Sequence, residues 1–123
     1  MATVVRALRG ATTVERDEPR EVTRATRELL EEMLSRNSVR PEDLISVVFT
    51  ATPDLVSEFP AAAARALGIS DVPLLCATEI AVPGAVERCV RVLIHLNTER
   101  SKAELHHVYL HGASHLREDL VQP

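Results

Sequence analysis

From residue 3 to residue 9 the chain alternates as a strand does, and the run predicts a strand that ends at Gly10. It carries two arginines. Successive strand side chains point to opposite faces, so Arg6 shares a face with Val4 and Leu8, and Arg9 shares one with Val5 and Ala7. A guanidinium is rarely buried without a partner, so Arg9 raises the question of its anion. Asp17 fits an N-cap and Pro19 the first turn of a helix, where a missing amide proton does no harm. From there Val22, Ala25, Thr26, Leu29, Leu30, Met33 and Leu34 recur at three- and four-residue steps, one apolar stripe on a helix of about five turns. Asn37 and Ser38 end it, and "RPED" opens a further helical turn. The β-branched run from Leu44 to Ala51 has few polar interruptions, which predicts a central strand buried on both faces and stopped by Pro53.

Pro60 then opens a short alanine-rich helix that Gly68 closes. A third strand fits "VPLLCATEI". Residues 88–97 read as a strand, because Val90, Val92, Ile94 and Leu96 alternate with Cys89, Arg91, His95 and Asn97. A short polar helix near residues 101–105 leads to a last strand, "HHVYLHG". The order is βαβαββ-like: a mixed sheet packed by helices, of the α+β class, in one domain over residues 1–123.

Composition narrows the function. The 123 residues are 46% hydrophobic and 26% charged, enough for a real core in a soluble chain. A net charge of −4 and only three aromatics, Phe49, Phe59 and Tyr109, argue against nucleic acid as a partner. No apolar run approaches the roughly 20 residues that span a bilayer, so no membrane partner is expected. No signal peptide is read at the N-terminus, and two cysteines are too few for a disulfide framework, so the expected compartment is a reducing cytoplasm. His107, His111 and His115 are spaced as helical zinc ligands are, but Val108–Leu110 reads as strand, Gly112 interrupts, and no carboxylate stands where a metalloprotease motif needs one. No metal is expected. Arg9, Glu79 and Arg91 each lie on or at the end of a largely apolar strand, where packing alone would choose Val or Ile; together they predict a shared polar pocket.

The segments "LRGATTVERD", "ATPDL", "FPA", "VPLLCATEI", "VRVL" and "HVYL…LR", in order from about residue 4 to residue 120, resemble the monofunctional chorismate mutases of the Bacillus type. The resemblance implies that family's fold and assembly, a homotrimer forming a pseudo-barrel with active sites at the subunit interfaces. It also implies the reaction, an intramolecular pericyclic rearrangement of chorismate to prephenate on the route to phenylalanine and tyrosine. That reaction needs no cofactor, nucleophile or proton transfer. It needs a dianion held in a folded shape and a polar transition state stabilised by fixed charges.

Carried over by position, the resemblance gives Arg9 a substrate carboxylate, which is the anion sought above. Arg91 is implied over the ether oxygen, where negative charge grows, and Glu79 on the ring hydroxyl, facing the positive charge that develops on the ring. Cys76 is implied as a weak donor to that hydroxyl and Tyr109 as a phenol donor to a carboxylate. Phe59 and Leu74 are implied as apolar wall, Leu116 as a substrate contact, and Arg65 and Arg117 as cations that guide or close over the substrate. Cys89 reads as packing. One departure stands out: Ala62 occupies a position where some relatives carry a lysine. The rival readings are an imine-deaminase-like enzyme on a similar trimer, whose Gly-Pro-Tyr-Ser type motif is missing here, and a non-catalytic metabolite-binding trimer.

Overall fold

The alternation of Val90, Val92, Ile94 and Leu96 builds the spine of the fold. In the computed structural model, which describes residues 2–114 and residue 116, all four are buried. The elements run β1 (Val4–Thr13), α1 (Pro19–Arg36), β2 (Leu44–Ala51), α2 (Ala61–Ala66), β3 (Leu74–Thr78), β4 (Cys89–Thr98) and β5 (Val108–Tyr109), with single 3-10 turns at Pro41–Asp43, Lys102–Glu104 and His111–Ala113. The strands form one sheet in the order β3-β2-β4-β1-β5. It is mixed: β4 runs antiparallel to β1 and β2, while β1–β5 and β2–β3 are parallel pairs. The α+β expectation holds. No described helix is long and apolar enough to cross a membrane.

Both helices cover the same face of the sheet. The stripe on α1 (Val22, Ala25, Leu29, Leu30, Met33) and the alanines of α2 (Ala61, Ala63, Ala64) join Leu8, Val47, Phe49, Ile94 and Leu96 in one buried cluster. The other face is largely open. Val5 is 60% and Leu75 62% exposed there, and among the described residues a small cluster of Ala11, Cys89, Tyr109 and Ala113, flanked by Val86 and Leu116, is buried on it.

Several expected boundaries move, each for a physical reason. The first strand does not stop at Gly10 but runs on to Thr13. Gly10 lies under α1, where a Cβ would meet Met33 Sδ at 2.5 Å and Leu29 Cδ1 at 3.0 Å; the glycine admits the helix rather than breaking the strand. Asp17 is not the N-cap of α1. That position belongs to Glu18, which makes no side-chain cap bond, while the Asp17 carboxylate accepts the amides of Val56 (3.1 Å) and Ser57 (3.1 Å) and so ties down the loop before α2. The nearby Ser57 hydroxyl and the Val56 and Ser57 amides lower its carboxyl pKa from the ordinary value. β2 is buried on one face only: Val47 and Phe49 are covered, while Ile45 is exposed and Val48 and Thr50 are half-buried, because the helices pack on one side. The expected helix at 101–105 is a 3-10 turn over Lys102–Glu104, and the last strand shrinks to Val108–Tyr109.

Candidate functional site

Pairing register decides which of the expected residues can meet, because directly opposed residues project to the same side of a sheet. Arg9 stands opposite Leu93 and Ala11 opposite Arg91 in the β1–β4 ladder. Thr50 stands opposite Arg91 across β2–β4, and Ala11 opposite Tyr109 across β1–β5. Arg9, Thr50, Arg91 and Tyr109 therefore share the open face, away from the helices. Glu79 joins them from the end of β3. Its amide donates to the Ala51 carbonyl at 2.9 Å, which fixes the backbone. Its Oε2 accepts the Thr50 hydroxyl at 2.6 Å and lies 3.1 Å from Arg91 Nε.

That pair is the electrostatic centre of the face. Arg91 keeps 32% of its side chain exposed and Glu79 17%. Arg91 Nε itself is buried and out of line for a hydrogen bond, so its contact with Glu79 is ionic, and the side chain retains donors for a further anion. Its small neighbours, Ala11 and Thr50, leave room beside it. Cys89, two residues earlier on the same face, is fully buried, and burial pushes its thiol up to about 11 against the smaller opposing effect of the Arg91 charge. It is a neutral packing group at neutral pH. Leu116 packs on the same cluster, and Arg117 lies outside the described residues.

The other expected residues lie on the opposite side. Val47 pairs with Leu74 and Phe49 with Cys76, so Leu74 and Cys76 face the helix layer. Cys76 lines a cleft of about 470 Å³ with Ala51, Leu55, Phe59, Pro60 and Thr78, and the loop clamped by Asp17 forms its wall. Phe59 is 67% exposed at its rim. The lining holds one carboxylate, Glu58, and no cation. Thr78 lines this cleft, whereas the next residue, Glu79, lines a second one of about 250 Å³ with Asp54, Ile80, Val82 and Val86. Consecutive residues at the end of β3 thus look into different spaces. Arg65 is exposed on α2 and lines neither.

Sequence reasoning missed Thr50, the hydroxyl in an apolar strand that holds Glu79; its signal was a polar residue at the end of an otherwise β-branched run. The histidines do other work than the zinc spacing evoked. His107 Nδ1 accepts the Arg9 amide at 3.0 Å, and His111 Nε2 lies 2.9 Å from Glu28 Oε1. His115 lies outside the described residues. Among the described residues no three His, Cys, Asp or Glu side chains converge as metal ligands would.

Known proteins resemble this chain over nearly its whole length. A family model described as chorismate mutase type I matches residues 5–120. The chain is 50% identical over 118 residues to the chorismate mutase AroH of Thermus thermophilus, covering 95% of this chain and 97% of that protein. It is 42% identical over 118 residues to the chorismate mutase AroH of Bacillus subtilis, covering 95% of this chain and 93% of that protein. Among solved structures, a chorismate mutase from Clostridium thermocellum superposes with a TM-score of 0.87 at 46% identity, over 88% of this chain and 96% of that one.

Proposed function

The chain belongs to the type I chorismate mutase family, and with that premise we propose how its side chains convert chorismate to prephenate. The activity is that of an isomerase acting on chorismate. The reaction is an intramolecular pericyclic step in which the ether C–O bond breaks as a C–C bond forms. The protein contributes position and field, with no covalent or acid–base step. Arg9 binds a substrate carboxylate. Arg91 meets the ether oxygen, where negative charge grows, and its forked donors also suit a neighbouring carboxylate. Glu79, already oriented by Thr50, accepts the ring hydroxyl and faces the positive charge on the ring. Tyr109 donates to a carboxylate.

One observation carries the reading: the cations and the apolar wall sit on opposite faces of one chain. A dianion requires Arg9 and Arg91, which are on the open face, while Phe59 and Cys76 line a cleft that has no cation, and Leu74 packs on the same helix side as Cys76. One chain supplies both halves of a site but does not bring them together. A second copy does, when the Phe59 rim of one chain meets the Arg91 face of its neighbour. The uncovered sheet face supports this, since a sheet with exposed apolar positions such as Val5 and Leu75 is one layer short of a stable two-sided packing. We assign the assembly as a homotrimer with three shared sites.

Two measurements test the proposal. Purified protein should consume chorismate, seen as loss of its ultraviolet absorbance, and yield prephenate with a kcat flat across neutral pH, because no step needs a general acid or base. Light scattering should give a mass near three times 13.5 kDa. A bell-shaped kcat profile centred near neutrality, or a fully active monomer, would overturn the mechanism or the shared site respectively.

A further inference from the structure

Arg9 is the first residue of β1 to lie beyond the reach of β5. The β1–β5 ladder starts at Gly10 opposite Val108, and next to it the Leu110 amide donates to the Ala11 carbonyl at 2.9 Å. At Arg9 the rung that a neighbouring strand would supply is missing. The His107 side chain fills it, Nδ1 accepting the Arg9 amide at 3.0 Å. With Nδ1 as acceptor, the ring proton of the neutral imidazole sits on Nε2.

The backbone that leads into His107 is held from the far side of the fold. Asn37, the C-cap of α1 and only 1% exposed, brackets the preceding residue. Its Nδ2 donates to the carbonyls of Met33 (2.8 Å) and His106 (2.9 Å), and its Oδ1 accepts the His106 amide at 2.7 Å. These contacts form one chain of fixed groups, from the end of α1 through the His106 backbone and the His107 ring to the backbone of Arg9. The Arg9 amide and its guanidinium leave the same short stretch of main chain, so a shift of that backbone moves the charge with it.

We propose that His107 is a positioning residue for substrate binding: its Nδ1 fixes the Arg9 backbone, and so aims the Arg9 guanidinium at a substrate carboxylate. The inference rests on the carboxylate role given to Arg9 above. It goes beyond that role in assigning the aim of the guanidinium to a side chain that does not itself touch substrate. A carboxylate contact exists in the bound substrate as well as in the transition state, so losing its aim weakens binding more than it slows the chemical step.

The test uses chorismate kinetics on His107→Ala, His107→Asn, Arg9→Ala and the double variant Arg9→Ala/His107→Ala. His107→Ala should raise KM about tenfold, the scale of one lost hydrogen bond, with kcat within about threefold of the parent. In His107→Asn the Oδ1 takes the place of Nδ1, and KM should return to within about threefold of the parent. In the Arg9→Ala background His107→Ala should add no further loss, because it acts through Arg9. A folded His107→Ala with parental KM, or losses that multiply fully in the double variant, overturns the proposal. An unchanged Arg9→Ala overturns both this inference and the carboxylate role beneath it; an impaired Arg9→Ala beside an unchanged His107→Ala removes the role of His107 alone. Where His107→Ala does not fold, the parent protein decides. A through-hydrogen-bond nitrogen–nitrogen coupling between the Arg9 amide and His107 Nδ1 is expected in ¹⁵N NMR, and its absence refutes the contact.

Discussion

Replacing Arg91 by glutamine removes the charge at the centre of the open face while keeping a hydrogen-bond donor and most of the length. The side chain is 32% exposed, so its field acts through an effective dielectric near 20 rather than that of a dry interior. A transition-state oxygen carrying about half an electronic charge at about 3 Å then gains about 2.8 kcal/mol from the guanidinium, close to 10²-fold in rate. That agrees with the roughly 10²–10³-fold cost of deleting one preorganised donor. Because the ether oxygen of bound chorismate carries little of this charge, kcat should fall by at least ~10²-fold while KM changes less than about tenfold. The assay is chorismate absorbance at saturation, with circular dichroism and light scattering to verify fold and assembly. Arg91 also neutralises Glu79 at 3.1 Å, so the variant leaves that carboxylate with the Thr50 hydroxyl alone. A rate restored in the double variant Arg91→Gln/Glu79→Gln would make the loss an artefact of an unpaired Glu79 and overturn the role given to both charges. Arg91→Gln turning over within a few-fold of the parent would refute the electrostatic mechanism outright.

Gly10→Val should cost about 1–3 kcal/mol of stability, read from the denaturant midpoint, because its side chain overlaps Met33 and Leu29 beneath α1. Asn37→Ala strands the Met33 carbonyl and both backbone groups of His106, and should cost about 2–4 kcal/mol in the same measurement. Cys89 gives a pH signature. Its folded thiol titrates near 11 because it is buried, whereas an unfolded one titrates near 8.5. Its contribution is intact below the unfolded value, and as pH rises the unfolded chain releases a proton that the folded one retains. Between roughly pH 9 and 11 stability should fall by about 2 kcal/mol more in the parent than in Cys89→Ala, and parallel urea midpoints at pH 8 and 10.5 would contradict this.

Local pattern carried the fold a long way. The alternation in β4 and the stripe on α1 were legible because each sits against a single apolar layer, where period and burial agree. Gly10 misled because a glycine inside a strand pattern reads as an end, and only the packed helix reveals that its missing Cβ is what matters. Asp17 misled for a related reason: a carboxylate before a proline-led helix is an N-cap in local terms, and its true partners lie 39 and 40 residues away. For the site, the residue types were legible one by one, as charges where apolar residues belong. Their division between two faces was not, since Cys76 and Glu79 are three residues apart in sequence and the face of each is set by the register of β2 with β3 and by the turn that follows. Thr50 escaped notice, and His107 drew it only through a metal-ligand spacing, because each acts by holding another residue, and a holding role leaves no mark in composition or spacing.

The sheet order has a consequence for how the chain is made. β1 is the first strand to leave the ribosome, yet both of its neighbours, β4 and β5, come from residues 89–109. At ordinary synthesis rates of about 5–20 residues per second, β1 waits several seconds before any strand can pair with it. In that interval the partner already synthesised is α1, whose Leu29 and Met33 lie over Gly10 in the folded chain, a contact only about twenty residues long in sequence. The glycine that lets the helix come close thus marks the earliest packing partner open to β1, and the open face around Arg9 and Arg91 can form only once β4 and β5 have been made.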